Sequence, residues 1–282
     1  MREDKSSDTA LGATTIRAAH QLIDELPHLL EDPVSLLLLG DDAVRQIRTL
    51  PEQHQSVSSR ALRSHVVLRS RYAEDELSRA AGSGIKQFIN LGAGFDTFSS
   101  RQPDWARALK IIEVDHPATQ SAKLELLKRA GIETPHNVEF VPFDLESGDL
   151  LASLAKTSLN LTLPTFVACL GVLAYLRPGT VSKTFQSIAG MARGSELVFA
   201  FAPNQTESRR GTPESMTTAE KAAAHGEPWL TRFDLAELKL ALLKSGFGSV
   251  SFLSPIEAEE RYYKGRRDLP APKRTRICRT AV

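Results

Sequence analysis

From Lys86 onward the chain changes character: short apolar runs, each about a strand long, alternate with stretches long enough for a helix. Repeated strand-helix units of this kind close into a parallel sheet covered on both faces. The runs at 87–91, 109–114, 138–143, 164–170 and 196–201 read as strands, with two more at 249–253 and 274–280. Helices are expected at 118–130, 148–156, 180–192 and 234–244, the last closed by Gly246. Seven such strands predict an α/β, doubly wound, mostly parallel sheet. Upstream, after a polar start, residues 12–80 hold no good strand. Ile16, Leu22, Ile23, Leu26, Leu29 and Leu30 recur at helical spacing, and Pro27 and Pro33 interrupt them. Val34 to Gly40 reads as a short core helix and Val66 to Arg79 as another. The expectation is a single domain over 1–282 with a helical N-terminal cap at 12–80. Residues 203–232 are too long for a simple connection and read as an insert or lid.

Composition narrows the partners. Thirty-five basic and thirty-four acidic residues leave a formal net charge of +1, so no global field draws the chain to nucleic acid or an anionic membrane. A small molecule is the expected partner. Cys169 and Cys278 lie far apart, with neither a CxxC pair nor ligand-spaced histidines beside them, which argues against a disulfide framework or a zinc site and for a reducing, cytoplasmic setting. The first eight residues lack the apolar core of a signal peptide, and no apolar run approaches about 18 residues. No membrane span and no metal are expected.

Ligands of doubly wound sheets bind beyond the carboxyl ends of the strands. Three consecutive strand ends carry suitable chemistry. After the first, Leu91-Gly-Ala-Gly-Phe-Asp96 places Gly92 and Gly94 where a tight turn brings backbone N–H groups close to a ligand. At the second, Asp115 of Glu113-Val-Asp-His-Pro117 could accept hydrogen bonds from ribose hydroxyls, or instead cap the helix that starts at Pro117. At the third, Asp144 of Phe143-Asp-Leu145 could receive the exocyclic amine of adenine, or serve as a turn residue. Together they describe an adenosine-shaped site. Thr97 stands where a dinucleotide fingerprint needs its last glycine, which weighs against NAD or FAD. A phosphate-binding loop, a G-x-S-x-G elbow and an H-E-x-x-H helix are all missing from the sequence.

The same residues resemble a family. Gln87 to Thr97, Glu113 to Pro117 with Lys123, Val141-Pro-Phe-Asp-Leu145 and Gly171-Val-Leu-Ala-Tyr-Leu176 are similar to the leucine carboxyl methyltransferases. The chain looks most like the bacterial branch, which includes polyketide carboxyl and hydroxyl O-methylating enzymes. Thr14-Thr-Ile-Arg17, Leu68 to Asp75 and Gly226-Glu-Pro-Trp229 extend the likeness over nearly the whole chain. The resemblance implies a Rossmann-like class I methyltransferase that uses S-adenosyl-L-methionine to methylate an oxygen of a small molecule, in secondary metabolism. It implies that Gly92 and Gly94 line the methionine and sugar, Asp115 the ribose, and Asp144 with Leu145 the adenine. An arginine of the N-terminal segment would grip the methionine carboxylate through its planar fork; Arg71 matches best, with Arg69 next to it in register. Where the eukaryotic enzymes carry an acid just before the segment matching Gly171, this chain has Cys169-Leu170, which puts phosphatase C-terminal leucine in doubt as substrate.

A sulfonium already activates its methyl group, so such an enzyme must chiefly orient a nucleophile and exclude water. The sequence offers no convincing general base. Tyr175 and His225 are catalytic candidates by location, as are His65 and His116. Trp229 offers the insert an aromatic wall, or a buried anchor. The basic residues of 261–279 read as a solvated edge. An NAD(P)-dependent oxidoreductase, and a nucleotide-binding module without transfer activity, stay open at this point.

Overall fold

The computed structural model describes residues 6–204 and 218–282, so part of the expected insert, 205–217, lies outside the described residues. Helix α1, Asp8–Ile23, starts earlier than the apolar pattern indicated because Ser7 caps it, its hydroxyl accepting the Ala10 N–H at 3.0 Å. Helix α2, Pro33–Leu39, begins at the proline with Asp32 as cap and ends at Gly40. A helix the apolar pattern misses, α3 at Asp41–Thr49, is polar and buries only Ile47. Helix α4, Val57–Gly82, extends well upstream of Val66; its first turns, Val57 to Arg63, carry no apolar stripe, and Ser56 sets its start.

The sheet follows. Strand β1 is Gln87–Leu91 and β2 is Lys110–Asp115, followed by α5 at Pro117–Arg129; β3 is Val138–Pro142 and α6 Leu150–Leu154. Strand β4 is Phe166–Cys169, α7 Pro178–Ala189, β5 Glu196–Ala200, α8 Thr218–Ala224 and α9 Leu235–Ser245. Strands β6, Ser249–Phe252, and β7, Ile277–Ala281, complete a seven-stranded sheet of order β3-β2-β1-β4-β5-β7-β6, in which only β7 runs against its neighbours. This is the expected doubly wound, mostly parallel arrangement.

Because side chains alternate along a strand, each central strand supplies both cores. Phe88, Ile111, Phe166 and Val198 face Leu68 and Leu77 of α4, whereas Ile89, Ile112, Val167 and Leu197 face Leu154, Phe185 and Leu242 of α6, α7 and α9. The strand order reverses between β1 and β4, so the loops after these two strands diverge and leave a crevice. Helices α1 and α4 wall it. Among the described residues, no helix is long and apolar enough to cross a membrane.

Candidate active site

A cavity of about 770 Å³ occupies this crevice, within the usual range for small-molecule sites. Gly92, Gly94, Asp115, Asp144 and Leu145 all line it, as do Tyr175 and His225. Arg71 does not.

The Gly loop is built by backbone. The N–H groups of Gly92 and Ala93 both donate to the Val114 carbonyl, at 2.8 and 3.1 Å, which ties the loop to the end of β2. Gly92 has φ +70°, and a Cβ there would run into the Val172 side chain after β4. The Gly94 N–H donates to Asp115, whose second oxygen accepts from the His116 N–H at 2.6 Å. Burial pushes the Asp115 carboxyl above its ordinary range, against the pull of these two bonds. The cap of α5 falls to His116, whose ring nitrogen accepts the Ala118 N–H, so Asp115 has no capping duty and faces the cavity. Glu113 pairs instead with buried Lys123, outside the cavity. Asp144 combines both readings of its sequence position: one oxygen accepts the Glu146 N–H at 2.9 Å in a turn, and the residue also lines the cavity.

The arginine expectation is corrected by helix geometry. Residues two apart on a helix point roughly 200° apart, so Arg69 and Arg71 cannot both face the crevice. Arg71 points away; its side chain is 45% exposed and pairs with Asp75 at 2.9 Å. Arg69 points in, and Gly171 makes the room: a Cβ there would sit 2.5 Å from the Arg69 Nη1. Burial pulls the Arg69 guanidinium down to about 10, with Tyr175 and Asp96 opposing that fall and Arg17 adding to it. Among the described residues Arg69 forms no carboxylate ion pair.

Sequence reasoning missed the support beneath the loop. Arg17 donates to Asp32 at 2.8 Å and to the Phe95 carbonyl at 2.6 Å, while Thr97 donates to the other Asp32 oxygen at 2.6 Å. Arg101 donates to Thr97 at 3.0 Å and pairs with Glu74. Burial opposes ionisation of Asp32, but Arg17 and Arg101 hold its carboxyl below the ordinary value. Thr97, which breaks the dinucleotide fingerprint, thus ties the Gly loop to α2 through a hydroxyl that glycine lacks. The signal was present in the quoted Thr14-Thr-Ile-Arg17 segment, but its partner Asp32 shows only in three dimensions.

The other end of the cavity is lined by His65, Tyr175, Trp229 and Arg276. Burial, with Arg69 and Arg276 nearby, depresses the His65 imidazole well below its usual value, so it is neutral at neutral pH. His225 is a poor catalytic candidate: its side chain is 60% exposed at the rim, 3.7 Å from Asp8. Trp229 stacks against Arg232, 5.3 Å from the ring centre, and among the described residues its indole N–H has no partner. Glu227 accepts from the Thr9 N–H and the Ser7 hydroxyl, both at 3.2 Å, so the described end of the insert is bound to the start of α1 over the cavity. The 261–279 stretch is a solvated edge only in part: Lys264, Arg267, Lys273 and Arg274 are exposed. Arg266 pairs with Asp268 at 2.7 Å, Arg279 with Glu196 at 2.9 Å, and Arg276 reaches the cavity. Burial pushes the Cys169 thiol up to about 12, which leaves it inert as a nucleophile.

The donor set fits S-adenosylmethionine. A glycine cradle, two strand-end carboxylates and an unpaired guanidinium match its backbone-hugging chain, its ribose and adenine, and its carboxylate. Comparison with known proteins agrees. The family model described as leucine carboxyl methyltransferase matches residues 10–189. A Bacillus subtilis protein named "Putative S-adenosyl-L-methionine-dependent methyltransferase YktD" is 30% identical, with 95% of each chain covered. A Mycobacteroides abscessus protein with the same description is 27% identical over 93% of this chain and 87% of its own. Two solved structures share the fold. A Thermobifida fusca structure named "putative methyltransferase" covers 99% of this chain and 96% of its own at 17% identity and TM-score 0.59. A DUF574 family protein from Streptomyces avermitilis covers 99% and 98% at 15% identity and TM-score 0.58. The oxidoreductase alternative falls away, and the chain belongs to the leucine carboxyl methyltransferase family as an S-adenosylmethionine-dependent methyltransferase.

Proposed function

We propose that the chain methylates an oxygen, carboxylate or hydroxyl, of a small molecule of secondary metabolism. The cofactor supplies a methyl already activated by its sulfonium. The protein's part is to bind, orient and exclude water, and orientation alone is worth roughly 7–11 kcal/mol in favourable systems. In this reading Arg69 takes the methionine carboxylate, Gly92 and Gly94 admit the chain, Asp115 holds the ribose hydroxyls, and Asp144 with Leu145 holds adenine.

The observation that carries the reading is Arg69. A half-buried guanidinium facing the cavity without a carboxylate partner is costly, and Gly171 is shaped to allow it. A bidentate carboxylate ligand removes that cost.

Oxygen is favoured as the acceptor atom by the electrostatics of the far end. His65 is too weak a base to take a proton readily. Yet Arg276 beside it, together with the sulfonium of a bound cofactor, favours any group in its anionic form, which lowers the pKa of a bound hydroxyl and keeps a carboxylate ionised. The oxygen is thus prepared by the field rather than by a dedicated base. Tyr175, near Arg69, is placed to position it.

Calorimetry with S-adenosylhomocysteine, followed by labelled methyl transfer to paired acids, phenols and amines, tests this. Saturable binding and transfer to oxygen acceptors alone are expected. Transfer confined to amines would overturn the oxygen assignment.

A further inference from the structure

The sheet order separates the two ends of the cavity. Asp144, Asp115 and the Gly loop follow β3, β2 and β1; Gly171 and Tyr175 follow β4; Arg276 lies just before β7, where its carbonyl accepts the Phe201 N–H at 2.9 Å. With strands about 4.8 Å apart, Arg276 sits roughly 10 Å along the sheet from the Gly171 turn and roughly 14 Å from the Gly loop. Its backbone therefore lies on the side of the cavity away from the Gly loop, toward the acceptor end.

Arg276 is also unbalanced. It forms no carboxylate ion pair among the described residues, and its charged influence is Arg274, a like charge that adds to burial in lowering its pKa. His65 feels both Arg276 and Arg69. Cofactor binding does not correct this. S-adenosylmethionine brings one carboxylate, which Arg69 takes, together with an ammonium and a sulfonium, so loading the cofactor makes the cavity one charge more positive. A half-buried guanidinium lining the cavity next to that field calls for an anion from the remaining ligand.

We propose that the methyl acceptor carries a carboxylate that Arg276 binds, as an anchor distinct from the oxygen that receives the methyl; this rests on the methyltransferase reading of the cavity. The anchor is a spectator because a guanidinium fork holding a carboxylate withdraws electron density from it and lowers its nucleophilicity. The substrate class is then hydroxy acids, with the acid at the β7 end and the hydroxyl toward Tyr175. Transfer forms an O–CH3 bond, breaks the S–CH3 bond, releases S-adenosylhomocysteine and sends the hydroxyl proton to solvent.

The test uses protein saturated with S-adenosylhomocysteine and three probe pairs: 4-hydroxybenzoate, 4-hydroxyphenylacetate and 4-hydroxycinnamate, each against its amide. At least one acid is expected to bind about tenfold or more tightly than its amide. Arg276→Met should erase that preference, Arg276→Lys should keep part of it, and neither should shift S-adenosylhomocysteine affinity by more than about twofold. Equal binding of acids and amides throughout, no binding of any probe, or a preference that survives Arg276→Met would each overturn the proposal. A parallel loss of S-adenosylhomocysteine affinity in Arg276→Met would assign Arg276 to the cofactor instead. A base-labile methyl ester as product would end the spectator role. If the wild type fails to bind S-adenosylhomocysteine, the methyltransferase reading itself fails, and the acid preference measured without it still reports on Arg276.

Discussion

The two ends of the cavity are made differently. The end over β1, β2 and β3 is written in backbone: Gly92 and Ala93 N–H on Val114, Gly94 and His116 N–H on Asp115, Glu146 N–H on Asp144. The end over β4, β5 and β7 is written in side chains, with His65, Tyr175, Trp229 and Arg276 converging from α4, the β4 loop, the insert and the approach to β7. The first kind of site follows from the fold and keeps one ligand. The second can be rewritten residue by residue without disturbing the sheet, which is where a family with one cofactor can change its acceptor.

The backbone-built end breaks most completely at its foundation. Asp32 is fully buried and carries Arg17, Thr97 and the α2 cap at once. Asp32→Asn leaves the buried Arg17 charge without its carboxylate, and removing one partner of a buried pair costs about 3–5 kcal/mol. A denaturant midpoint shift below 1 kcal/mol would show the network to be ornamental. The pH sign follows from the lowered pKa. The folded value lies under the unfolded one, so the stability Asp32 contributes is present above the unfolded value and is lost as pH falls through the folded one. Asp32→Asn should lose that acid limb.

The next contrast lies along one helix. Arg69→Met should cost S-adenosylhomocysteine affinity about 2–5 kcal/mol, the range for truncating one side of a buried charge pair. Arg71→Met, two residues on and facing solvent, should stay within about 0.5 kcal/mol. Equal effects in calorimetry would mean that the carboxylate is gripped elsewhere, with Arg17 the first alternative.

A smaller loss is expected at the ribose position. Asp115→Ala should cost about 1.5–3 kcal/mol of cofactor affinity, the value of hydrogen bonds to a charged group. Because burial holds its carboxyl above the ordinary range, wild-type affinity should decline on acidification sooner than a surface carboxylate would dictate. The alanine variant should show a flatter profile. Unchanged affinity at neutral pH would misplace the ribose.

The same division governs what the sequence could reveal. The strands, the Gly loop and the acids at strand ends were legible because alternation, chain order and glycine position are local properties read in one dimension. The α3 helix and the first turns of α4 were not, since their exposed faces carry no apolar period and their starts depend on single caps. Arg69 and Arg71 show the limit most sharply: both satisfy the motif, and only the 100° step per residue, fixed once α4 is packed, decides between them. Arg276 was hidden for a different reason. It lies in a basic stretch where Arg266 and Arg279 find acids, Asp268 and Glu196, while Lys264, Arg267 and Lys273 are exposed, and nothing local marks the one that turns inward.

The smallest effect offers the finest probe of the side-chain-built end. His65 is neutral when folded, its pKa driven well below 6.5 by burial and by Arg69 and Arg276. The unfolded chain gains a proton there as pH falls through about 6.5 while the folded chain does not, so stability is lost on acidification by up to ~1.4 kcal/mol per pH unit. Over roughly pH 6.5 to 5, above the range where most carboxylates titrate, His65→Gln should flatten the slope of the denaturant midpoint against pH. Arg276→Met should flatten it partway, because one of the two charges repelling the imidazolium is gone. An anion bound at the acceptor end should act in the same direction as that substitution, raising the imidazole pKa by cancelling the guanidinium charge. The His65 resonance, followed by NMR with and without an added hydroxy acid, would register occupancy of that end directly; a pKa that moves with neither Arg276→Met nor the acid would separate His65 from the anion site altogether.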